Sequence, residues 1–146
     1  LSVAGANMTI AIAEEGEYQF IFDASDLNNV SLKVLNAEMF AQTTVFIRGS
    51  LNDWSTDNPL MYEGDAIYST SIELEAGDYE FKVASEDWST VDYGGAGDTP
   101  VVAIDELTPL EAVGANIALN ITEQGTYSFK VIGPDRENVS ILINKQ

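Results

Sequence analysis

The sequence predicts an all-β fold, an antiparallel immunoglobulin-like β-sandwich, on three observations. Short runs alternate apolar with polar residues, as where Tyr79, Phe81 and Val83 interleave with Glu80 and Lys82. Clusters of Gly, Asp and Asn separate these runs at regular intervals, the spacing of a sandwich. No window sustains a 3.6-residue period, and Gly94, Gly95, Gly97, Pro100 and Pro109 would break a helix between the two halves.

Taken in order, residues 8–12, 18–22 and 30–34 alternate and are separated by Glu-Gly and Asp/Asn turns, so each is expected to be a strand. Residues 43–48 form the next, rich in β-branched side chains. Residues 67–74 and 79–84 follow, with Ala76-Gly77-Asp78 read as a hairpin turn between them. Residues 116–121, 127–131 and 139–143 complete the set.

A repeat organises these strands. Slid against itself by 109 positions, the chain pairs Gly5-Ala6-Asn7 with Gly114-Ala115-Asn116 and runs without a gap to Val34 opposite Ile143. Identities include Tyr18 with Tyr127, Phe20 with Phe129, and Asn29-Val30-Ser31 with Asn138-Val139-Ser140. The segment between occurs once, so residues 38–146 read as one module. Residues 1–36 then read as the tail strands of a preceding repeat, packed on or completing a sandwich. The alternative is that they are integral strands of one larger sandwich.

With 146 residues, 45% of them hydrophobic, the chain can build a core. Its net charge of −18, with six basic residues, repels phosphate backbones and anionic lipid headgroups, so neither nucleic acid nor membrane insertion is expected. It lacks Cys and His, which excludes disulfides, thiolate chemistry and the commonest general base and metal ligand. No cofactor and no metal are expected. No run approaches the roughly 20 apolar residues of a membrane-spanning helix. The opening on Leu1 reads as a mature or excised fragment, and the composition fits a secreted or bacterial cell-surface protein.

The candidate site rests on two tryptophans. Trp54 lies among Asn52, Asp53, Ser55, Thr56 and Asp57, and Trp88 lies between Glu86-Asp87 and Ser89-Thr90, so neither belongs to an apolar run that would bury it. Large rings held in polar loops suit a ligand, and sugars offer apolar C–H faces to flat rings together with a rim of hydroxyls. Alternation puts Lys82 on the face opposite Phe81, hence toward solvent, while Lys130 occupies the same Phe-Lys-Val setting with no Trp nearby. Arg48, Asn52, Asp53, Asp87, Asp92 and Tyr93 are near enough in sequence to add hydrogen bonds.

The run Val45-Phe46-Ile47-Arg48-Gly49-Ser50-Leu51-Asn52-Asp53-Trp54, then Glu75-Ala76-Gly77-Asp78-Tyr79-Glu80-Phe81-Lys82-Val83, then Asp87-Trp88, closely resembles the starch- and glycogen-binding modules. These include the glycogen-binding domain of the AMP-activated protein kinase β subunit and modules of bacterial amylases, pullulanases and starch-binding outer-membrane lipoproteins. The resemblance implies that Trp54 and Trp88 stack on glucose rings and that Lys82 bonds hydroxyls. The expected partner is α-1,4-glucan, as polysaccharide or malto-oligosaccharide, and the module is expected to be a non-catalytic part of a larger amylolytic enzyme or starch-binding protein. Two rivals stand beside this. Paired carboxylates among the 24 acidic residues would suit glycoside hydrolysis. Asp53, Asp57 and Asp65, or Asp92 and Asp98, would suit a calcium-binding or adhesive cell-surface module, although no EF-hand spacing occurs.

Overall fold

The computed structural model of the chain describes residues 9–11, 18–26, 30–36, 39–40 and 42–146. Along the chain the strands are β1 (Tyr18–Asp23), β2 (Ser31–Asn36), β3 (Val45–Gly49), β4 (Met61–Gly64), β5 (Ile67–Leu74), β6 (Gly77–Ser85), β7 (Asp92–Gly94), β8 (Val101–Val102), β9 (Thr108–Pro109), β10 (Glu111–Ala112), β11 (Ile117–Ile121), β12 (Gly125–Ile132) and β13 (Ser140–Lys145). The one helical element described is a 3-10 turn, Ser50–Asn52.

Two sheets face each other. The front sheet has six strands in the order β10-β7-β6-β11-β8, with β3 on the other edge of β6, and the back sheet runs β4-β5-β12-β13-β9. Pairing is antiparallel except between β11 and β8. The expected sandwich is therefore what forms. Its centre is an edge-to-face contact between Phe81 of the front sheet and Phe129 of the back, with centroids 5.6 Å apart and planes at 86°. Both rings are fully buried, as are Ile47, Val83 and Ile117 from the front and Val131, Ile141 and Ile143 from the back. Burying each such side chain stabilises the fold by about 1.5–3 kcal/mol, which is why the period-2 pattern prevails over local preference.

The expected long strands of the module all form, within a few residues of their predicted ends. Those missing from the sequence reading, β4 and β7 to β10, are two to four residues long, too short for alternation to register. The β4–β5 hairpin turns on Asp65-Ala66, with φ of 51° and 62°. That is a primed turn without the glycine that marks it in sequence.

Two expectations need correction. Ala76-Gly77-Asp78 is no hairpin turn: Gly77 and Asp78 already belong to β6 and pair with Ile121 and Asn120. Both edges of β5 are taken, by β4 and β12, so the chain must leave the back sheet here and enter the front one. The strand expected at 8–12 lies partly outside the described residues, and its described part, 9–11, is not in a strand. Its repeat counterpart is β11, which is a strand through pairing with β6. The other two N-terminal strands do form and pair with each other as β1 and β2.

Candidate functional site

The site grows from one register. Arg48 of β3 stands directly opposite Lys82 of β6, and Asp92 of β7 stands opposite Ala84, so all of these face outward on the front sheet. From this floor two loops rise, residues 50–58 after β3 and 86–91 after β6. Each carries a half-buried tryptophan on a left-handed backbone, φ 58° at Trp54 and 60° at Trp88. Bulky residues rarely adopt that region, which costs roughly 1–2 kcal/mol each, so surrounding contacts must hold them there.

Arg48 supplies those contacts. Its Nε and Nη2 donate to the Trp54 carbonyl at 3.0 and 2.8 Å, and its Nη1 donates to the carbonyls of Ser85 and Glu86, both at 3.0 Å. The guanidinium carbon lies 4.0 Å from the Trp88 ring centroid, so one cation bonds both loops and covers one indole. The two indoles stand 5.9 Å apart with planes at 47°. Residues far apart in sequence thus form one tilted aromatic surface.

Each loop has its own brace. Asn52 donates to the Ile47 carbonyl and to Asn58 Oδ1, both at 2.8 Å, and accepts from the Gly49 amide at 2.9 Å. The Trp54 amide donates to the Gly49 carbonyl at 2.8 Å. In the second loop Asp87 accepts from Ser85 Oγ, from the amides of Ser89 and Thr90, and from both their hydroxyls. The hydrogen bonds from Ser85, Ser89 and Thr90 hold the Asp87 carboxyl well below the usual carboxylate range. Ser85, itself buried, also bonds the Val91 amide and carbonyl.

Lys82 is buried, not solvent-facing as alternation predicted: it is 9% exposed and ion-paired with Asp92. Alternation assumes an open outer face, but here Arg48 ties both loops down over that face. The structure therefore brings together Trp54, Trp88, Arg48, Lys82 and Asp92, with Asp53 exposed beside Trp54. Asn52 and Asp87 lie in the same loops, with their polar atoms engaged in bracing the turns. Tyr93 is elsewhere: it points into the core, 6% exposed, and its hydroxyl donates to the Arg136 carbonyl at 2.9 Å. Ser85 and Asn58 were missed in sequence. The pattern Ser85-x-Asp87-x-Ser89-Thr90 is an Asx-turn signature that points to the first.

Among the described residues no three acidic side chains converge as a metal site would need. A cavity of about 380 Å³, lined by Phe40, Leu60, Tyr62 and Tyr68 among others, includes neither tryptophan.

The chain is a carbohydrate-binding module, a β-sandwich that carries two half-buried, angled indoles beside an ion pair. Residues 47–132 match the pullulanase X25 domain, and the chain belongs to that family. The resemblance to starch-binding modules thus holds at the level of the family. A solved structure described as "Ligand induced structure of AmyP-SBD" has the same fold, with a TM-score of 0.57 at 18% identity, covering 98% of this chain and 97% of that one. No curated protein sequence matches the chain.

Proposed function

We propose that the chain binds α-1,4-glucan without cleaving it, by stacking glucose rings on Trp54 and Trp88. The observation that carries this reading is the indole pair, 5.9 Å apart and tilted by 47°, held by a single arginine on strained backbone. Backbone kept at that cost in two separate loops marks a surface organised for a ligand. A coiled α-1,4 chain presents successive rings at an angle, which two tilted planes accept, whereas the flat ribbon of cellulose asks for coplanar rings. Arg48 covers one face of Trp88, so the sugar stacks on the other. The part of the Lys82–Asp92 ion pair that solvent still reaches offers an ammonium donor and a carboxylate acceptor to sugar hydroxyls.

Stacking a few sugar faces, after hydroxyl desolvation, leaves about −4 to −7 kcal/mol, or roughly millimolar to ten-micromolar affinity. Such a module serves to hold an attached amylolytic enzyme or surface receptor on its polysaccharide, in a secreted or cell-surface setting. Affinity electrophoresis through gels cast with amylopectin, pullulan, a cellulose derivative or no polysaccharide tests the ligand. Retardation by the α-glucans alone is expected, and equal mobility in every gel rejects the proposal. Trp54→Ala and Trp88→Ala are each expected to remove most of the retardation while leaving the melting temperature within a few degrees; unchanged retardation in both excludes this site.

A further inference from the structure

The hairpin β1–β2 repeats β12–β13 residue for residue. Tyr18 pairs with Asn36 as Tyr127 pairs with Lys145, Phe20 with Val34 as Phe129 with Ile143, and Phe22 with Leu32 as Val131 with Ile141. All six pairs of β1–β2 keep the 109-residue offset. The burial is opposite. Phe129, Val131, Ile141 and Ile143 are fully buried, whereas Phe20 is 57% exposed, Phe22 62% and Leu32 38%. Ile10 is 50% exposed, and its counterpart Leu119 is 1% exposed.

The second copy shows what covers this face. Phe129 is capped by Phe81, and Leu119 sits in a strand bonded to β6. What the N-terminal copy lacks is therefore a front sheet, with its own equivalent of β6. A lone two-stranded hairpin is marginal in water, and three large apolar side chains aligned on one face add to the cost of leaving it open.

We propose that residues 1–36 are the closing strands of a preceding module of this type, and that the face of Phe20, Phe22 and Leu32 docks on that module's front sheet. The occupant is a sheet whose equivalents of β3 and β6 are joined in the same polypeptide ahead of Leu1 and whose equivalent of β11 is the chain's own segment 8–12. Neither a second copy of this hairpin nor this module's own sandwich fills the role.

The test extends the full chain. Since Leu1 aligns with Leu110, a duplicate of residues 38–109 fused ahead of Leu1 supplies the missing sheet. The chain has no cysteine, so Phe22→Cys places a single thiol on the face. Labelling of that thiol is expected to slow by at least roughly 100-fold in the extended chain relative to the 146-residue chain. An unchanged rate overturns the proposal. As a second measurement, Phe20→Asp should lower the melting of the added module in the extended chain and leave the 146-residue chain's melting unchanged. Loss of stability in the 146-residue chain would mean the hairpin docks on its own module. A concentration-dependent dimer of that chain, abolished by Phe20→Asp, would mean it docks on a second copy. Either result overturns the proposal.

Discussion

Arg48 directs its guanidinium to three backbone carbonyls and one indole face, although it stands on the outward face of β3. Four directed hydrogen bonds in a rigid fork cannot be copied by an ammonium group. Arg48→Lys and Arg48→Met are both expected to lower α-glucan affinity about 10-fold, since losing about 1.4 kcal/mol of loop order has that effect. Near-ultraviolet circular dichroism should show the tryptophan signal weakening in step; full affinity with a weakened signal would mean the clamp does not position the rings. Asp87 makes a pH prediction. Its folded pKa is depressed, so its stabilisation is complete above the unfolded value near 3.9 and is lost as pH falls below that toward the folded value. Asp87→Asn should therefore lose loop order above that window and, relative to the parent, show a flatter dependence between about pH 4 and 2. Tryptophan emission followed through acid titration of both proteins checks this. The Arg48 clamp was not legible in the sequence, because a hydrogen bond to a carbonyl depends on where the loop travels, whereas the Asp87 brace had a signal in Ser85-x-Asp87-x-Ser89-Thr90. The tryptophans themselves were legible, since two large rings in polar surroundings need a reason.

At the scale of the strand, the approach of β3 to β6 positions everything above it. Gly49 is fully extended opposite Phe81, and a Cβ there would lie 2.1 Å from the Glu80 carbonyl oxygen and 2.6 Å from Phe81 Cβ. Backbone cannot yield as a flexible side chain does. Gly49→Ala should thus destabilise the module by about 1–3 kcal/mol or more and lower α-glucan retention with it, measured by thermal melting and gel retardation. The alternating strands were readable because each buries one face: Ile117, Leu119 and Ile121 point inward along β11 while Asn120 stays out. Lys82 defeated the same rule. Its strand is covered on both sides at that end, where Lys82, Val83, Ala84 and Ser85 are consecutively buried, and nothing within the strand announces a roof contributed by other loops. The sheet-to-sheet passage at Ala76 was equally hidden, since a tight glycine-containing turn looks the same whether its strands pair or part.

For the molecule as a whole, the same residue type at equivalent places has opposite weight. Phe129→Ala empties the centre of the sandwich and should cost about 3–5 kcal/mol, whereas Phe20→Ala, at the equivalent exposed position, should change stability by less than about 1 kcal/mol. Denaturant unfolding of the two variants compares them, and equal losses would mean the N-terminal hairpin shares the module's core. The order of strands also has a consequence in time. β12 sits between β5 and β13 in the back sheet, yet it follows β3, β6 and β11 of the front sheet along the chain. A nascent chain leaving the ribosome therefore carries an open front sheet, with Phe81 and Ile117 uncovered, until the β12–β13 hairpin emerges. Closure depends on long-range partners and comes late, so each module is most exposed to chaperones, proteases and misassembly in the last moments of its own synthesis.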